Sequence, residues 1–282
     1  MRRQFLNHLD SPASQLRSKT SSNVQTGLDA LAINLRAACM YWVAPEMAAL
    51  AMSAGAQLAA ARWATADRPS PCGLIWWADG IGSLDTDGVQ IPVEGIVWGP
   101  HEGELMVWLL MSRSRLASEM QTRNGLSLVS DRMPPMIPIC GETLPVTAEP
   151  ISLADLDQLP APIVAALAAS WLLMQQPALV ERATERPPAA EARSSARAGL
   201  VDPAVTVTTL RRQYLPGQQD VDEGHDVAGR RYRHRWVVSG HWRDQPHGPE
   251  RALRRKTWIP AYVKGPDGAP LLSTERVNVW RR

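Results

Sequence analysis

Apolar positions recur at helical spacing from Gly27 to about Trp63, with Leu28, Leu31, Ala32, Leu35 and Ala38 along one face. Pro45 interrupts the pattern. Proline suits the first turn of a helix, so a second helix is predicted from near Pro45 through Met47, Leu50, Ala51 and Leu58. Small alanine side chains suit close packing of such helices on a sheet. The period then changes. Cys72–Ala78, Val89–Trp98, Glu104–Met111 and the shorter Met136–Cys140 are apolar runs bounded by Gly, Pro and Asp, and read as buried strands. Pro92 and Gly95 interrupt the second of them. Ser152–Asp157 resembles a helix start, and Pro162–Gln176 is a second strongly helical segment.

Glu181–Arg197 has no apolar period and is rich in charge, Pro, Ala and Ser, the composition of a linker. Beyond it, Val205–Tyr214, Arg230–Arg243, Lys256–Lys264 and Arg276–Arg281 are rich in β-branched and aromatic residues. These patterns predict an α+β protein. Residues 1–24 form a flexible, Ser-rich terminus, and 25–180 an α+β domain with helices on a sheet. Residues 181–203 form a flexible linker, and 204–282 a small antiparallel β module.

Composition removes several classes. The chain has 282 residues and three cysteines, Cys39, Cys72 and Cys140, without a CxxC pair. A disulfide framework or zinc knot is not expected, and neither is any metal or cofactor. The basic N-terminus has no apolar core behind it, and Pro, Arg or Glu break every long apolar stretch. A secretory signal and a membrane span are therefore not expected, and a cytoplasmic setting is. Asp79, Asp85 and Asp87 lack the ligand rhythm of a calcium loop and read as a turn. No nucleotide-binding P-loop, zinc-protease or nucleophile-elbow motif occurs.

Charge changes the picture most. The net charge of +2 hides an asymmetry: residues 230–282 hold 13 Lys or Arg against 4 Asp or Glu, and residues 1–229 hold 17 against 24. The C-terminal part is thus +9 and the rest −7, which points to a polyanion partner such as RNA. If Arg233–Arg243 is one extended strand, its alternate residues divide. Arg233, Arg235, His241 and Arg243 fall on one face, and His234, Trp236, Val238, Gly240 and Trp242 on the other. Lys256 and Lys264 fall among Trp258, Pro260 and Tyr262 in the following strand. Guanidinium groups suit phosphate oxygens and aromatic rings suit unpaired bases. The same pattern also suits a solvated face over a core of Trp236, Trp242 and Trp258. His241 among arginines is the candidate general base of a ribonuclease, with His247 or Lys264 as its acid partner. Gly240 would admit close approach of a backbone or ligand.

The run RYRHRWVVSGHWRDQPHGPERALRRKTWIPAYVKGPDGAPL resembles a segment of phage, plasmid and actinobacterial proteins: a basic strand ending in GHWR, a loop, then a W-I-x-x-Y-x-K/R-G strand. CGLIWWADG, GELMVWLLM and MIPIC resemble strands of a type V-A anti-CRISPR family that carries the same kind of module. The shared pattern falls on Gly240, His241, Trp242, Arg243, Trp258, Ile259, Lys264 and Gly265. The resemblance implies a mobile-element regulator. Members of that family suppress production of a type V effector by recognising the emerging polypeptide, with loss of its message. The expected partners are therefore RNA or a ribosome-associated complex. A protein-interaction or inhibitor module and a ribonuclease are the alternatives.

Overall fold

A computed structural model describes residues 1–12, 14, 16–17, 21–58, 63–124, 133–147, 159–211 and 236–264. The chain divides into two units, Met1–Arg212 and Gln213–Arg282. Its α+β class is as the periodicity predicts.

In the first unit, α1 (Arg2–Asp10) and α2 (Ser22–Ala37) precede β1 (Cys39–Val43) and α3 (Pro45–Ala56). Then come β2 (Gly73–Trp77), β3 (Ser83–Thr86), β4 (Val89–Pro92), β5 (Gly95–His101), β6 (Glu104–Ser112), α4 (Arg113–Asn124) and β7 (Met136–Leu144). α5 (Ala161–Met174), β8 (Val180–Glu185), α6 (Ala189–Arg197) and β9 (Val205–Leu210) complete it. Seven strands form one mixed sheet in the order β7-β6-β5-β2-β1-β9-β8. β1 has parallel partners on both sides, with Met40 opposite Leu74 of β2 and Val205 of β9.

Alternation sends neighbouring residues to opposite faces, and helices cover both. Phe5, Leu6 and Leu9 of α1 and Leu28, Leu31 and Leu35 of α2 pack with Leu74, Val97, Trp108 and Leu110. The opposite face meets α5, which is apolar around its circumference and buries every residue from Ile163 to Met174, as a helix inside a core does. There Trp77 Nε1 donates to Ser170 Oγ at 3.3 Å, and the Trp171 ring stands edge-on to Trp98 at 5.2 Å and to Trp63 at 6.1 Å. α3 crosses α5 at Gly55, where a Cβ would lie 2.9 Å from the Ala165 backbone.

Several expectations are corrected. Residues 2–10 are a helix with Phe5 fully buried, not part of a flexible terminus; its apolar residues lie at i, i+1 and i+4, too few for a sequence window to register. Residues 39–43 interrupt the predicted helical stretch as strand β1. Val89–Trp98 is two strands, broken at Val93 and Glu94 between Pro92 and Gly95. The 181–203 segment is not a linker: it holds most of β8 and all of α6, and β9 follows in the same sheet. The boundary between units moves accordingly from 203/204 to 212/213. β3 and β4 form a hairpin turning at Asp87 and Gly88, both with positive φ, as a two-residue hairpin turn requires. Ser152–Asp157 and Arg276–Arg281 lie outside the described residues. No helix among the described residues is long and apolar enough to cross a membrane.

The second unit contains β10 (Trp236–Val238), β11 (His241–His247), β12 (Leu253–Ile259) and β13 (Tyr262–Lys264). β10 pairs antiparallel with β13, and β11 antiparallel with β12.

Candidate nucleic-acid interface

β11 and β12 form a hairpin in which Trp242 faces Trp258 and Asp244 faces Lys256. Directly opposed residues of an antiparallel pair share a face. One face therefore carries Trp242, Asp244, Pro246, Arg254, Lys256 and Trp258. The other carries His241, Arg243, Gln245, His247, Leu253, Arg255, Thr257 and Ile259. The two indoles meet edge to face, centroids 5.3 Å apart at 68°, an arrangement that favours aromatic pairs. Trp258 is only 4% exposed, so it serves as core rather than as a stacking platform.

Gly240 belongs to the same packing. A Cβ there would lie 2.6 Å from Trp258 Cζ2 and 3.2 Å from the Ile259 carbonyl. The close approach is made by the chain's own indole. Residues 239–240 also break the strand expected to run from Arg233 to Arg243: β10 ends at Val238 and β11 starts at His241 with a different partner. Alternation does not carry across that break, so it does not place the 233–238 residues on a face of β11.

The candidate cations part company. Lys256 is largely buried and paired with Asp244 at 2.7 Å. Arg243 donates to Gln245 Oε1 on its own strand. Lys264 is exposed, as is Tyr262 two residues earlier. Arg233, Arg235 and Gly265 lie outside the described residues. At the tip, Arg251, Arg254 and Arg255 are all exposed. Arg254 Nη1 donates to the Arg251 carbonyl at 2.6 Å, which holds one guanidinium across the turn. Gly248, Glu250 and Arg251 have positive φ there. From His241 to Lys264 the chain carries six Lys or Arg against two acids, and one of those acids already faces Lys256. The sequence signal for the tip arginines is the run RALRRK, which leads from the turn into the strand of Trp258 and Ile259.

His241 Nδ1 lies 3.1 Å from the Ser239 carbonyl oxygen. His241 is registered against Ile259, so neither proposed acid partner is its cross-strand neighbour. His247 is at the far end of the same strand, roughly 20 Å away at ~3.3 Å per residue, and Lys264 is registered against Trp236. Among the described residues, no three His, Cys, Asp or Glu gather as a metal site.

No family model matches the chain, and no curated protein matches it. The chain is similar to the crystal structure of AcrVA2, at 14% identity and a TM-score of 0.38, over 91% of this chain and 82% of that one.

Proposed function

We propose that the chain is a regulator that binds RNA through the arginine-bearing tip of the β11–β12 hairpin and thereby suppresses expression of a target. The observation that supports this is the exposure of Arg251, Arg254 and Arg255 at one end of a ribbon whose aromatic residues are turned into its own packing. Forked guanidinium groups contact phosphate oxygens. Tyr262, 44% exposed beside Lys264, offers a ring for an unpaired base. Binding of this kind weakens steeply with salt, because each phosphate neutralised releases a counterion. The test is fluorescence anisotropy with single-stranded RNA at two salt concentrations. Arg254→Ala with Arg255→Ala should weaken binding more than tenfold, and binding that survives the double change overturns the proposal.

One observation favours a protein partner instead. Trp42 of β1 is 41% exposed in the middle of the sheet, in register with Trp76 of β2. Exposed aromatic residues are enriched where protein partners dock. A preparation free of nucleic acid, with a polypeptide partner lost on Trp42→Ala, would favour that reading. A high 260/280 absorbance ratio in the purified protein would favour RNA.

A further inference from the structure

The first unit contains a second concentration of arginine, unrelated to the hairpin. A cleft of ≈440 Å³ opens where the first turn of α1 meets the segment joining β8 to α6, and Arg2, Arg3 and Arg186 all line it. Arg2 is the unusual member. It is 4% exposed, and its Nη1 and Nη2 donate to the Ala38 and Asp202 carbonyl oxygens at 2.7 and 2.5 Å. Its Nε is buried with no hydrogen-bond partner. No carboxylate forms an ion pair with it among the described residues. The nearby Asp202 charge favours the charged guanidinium, but a buried guanidinium whose Nε lacks an acceptor stays costly unless a further negative group approaches.

The helix end adds an independent reason. α1 has no side-chain cap and no acidic residue in its first turn. Met1 to Gln4, at that helix end, line the same cleft, and the positive end of the helix dipole favours an anion there. Arg3 and Arg186 are exposed at the rim, with Glu185 and Glu191 opposing them. Three guanidinium groups and the Met1 α-amino group, whose pKa burial lowers, meet two carboxylates there, an excess of positive charge. Met40 and Val205 on the sheet and Leu200 supply an apolar wall.

We propose that this cleft is a binding site for a small oxyanion on an apolar body, a carboxylate or a phosphate monoester, whose anionic head is held by Arg2, Arg186 and the first turn of α1. The Glu185 and Glu191 carboxylates at the rim favour a ligand with a single compact negative group over a long polyanion, which would meet both of them. The site is thus distinct in ligand class from the hairpin.

Isothermal titration of the full chain with benzoate and with phenyl phosphate tests it, and comparing the two shows whether the head group is a carboxylate or a phosphate. At least one should bind with 1:1 stoichiometry. Removing one charge-assisted contact and reversing its charge in Arg186→Glu should weaken that binding about tenfold or more. Glu191→Gln, which removes an opposing charge, should strengthen it about two- to threefold. Arg2→Met should abolish it; since Arg2 also ties α1 to Ala38 and Asp202, circular dichroism accompanies that variant, and exposed Arg186 keeps the proposal testable if Arg2→Met does not fold. Arg254→Ala with Arg255→Ala should leave it unchanged. Absence of binding by both probes, binding indifferent to Arg186→Glu, or binding lost with the hairpin variant overturns the site. The hairpin proposal is read from RNA affinity and stands or falls separately.

Discussion

The two units solve opposite problems with the same residue, tryptophan. In the first, Trp63, Trp77, Trp98 and Trp171 are all but inaccessible and sit between a sheet and helices that cover both its faces. In the second, Trp242 and Trp258 pack against each other on one face of a two-stranded ribbon, and exposed arginines gather at its tip. A two-stranded ribbon has too little apolar area to be stable by burial alone. Its surface is therefore available for charge, whereas charge inside the first unit, as at Arg2, is confined and specifically tethered. Large substitutions in the first unit should cost stability, and those at the hairpin tip should cost binding.

The strongest test of that contrast is Trp171→Ala, which empties the centre of the first unit and should destabilise it by about 3–5 kcal/mol in urea denaturation. A loss below about 1 kcal/mol would mean that α5 does not hold the sheet. Gly240→Ala places a methyl against the Trp258 ring and should cost about 1–3 kcal/mol, seen as a loss of the indole near-ultraviolet circular dichroism of the hairpin with the first unit's transition unmoved. Arg254→Ala with Arg255→Ala should change stability by less than about 0.5 kcal/mol. It should lower the slope of log affinity against log salt by about 1.4, at ~0.7 per phosphate contact on single strands. Asp244→Asn removes the partner of Lys256 and should cost only about 0.2–1 kcal/mol, while RNA affinity rises. The smallest effect is alkaline. Burial, with Glu142 adding to it, pushes the Cys140 thiol up from an ordinary 9.0 to about 11. Because the folded value is the higher one, its contribution is complete below pH 9 and is lost as pH rises through 11. Stability should fall over that window, and Cys140→Ala should flatten the decline.

Much of the fold was legible wherever one period ran long enough. α5 and the β2 and β6 runs appear within a few residues of their predicted bounds, because apolar continuity marks a segment buried on both faces; β7 starts where predicted but runs on to Leu144 as a half-buried edge strand. The central strand β1 was not legible. Its five residues, CMYWV, follow directly on an amphipathic helix and read as one more turn of it; only parallel partners from residues 73 and 205 onward define them as a strand. β8 was hidden for the opposite reason. An edge strand needs one apolar face at most, and from Glu181 to Glu185 every residue is exposed, so its composition is that of a linker. In the candidate site, the alternation within β11 and the indole pairing follow from residue parity. The break at Ser239 and Gly240 does not, since it depends on the Trp258 ring arriving from another strand.

The pairing of β1 with β9 also sets a timetable. Met40 finds one neighbour in Leu74 but the other only in Val205, so during synthesis the middle of the sheet has an open edge until most of the chain has been made. Unpaired strand edges recruit foreign strands, and contacts so distant in sequence form slowly. A fragment cut at residue 203, where composition suggests a boundary, would keep that edge open permanently and should aggregate, whereas one ending at residue 212 closes it.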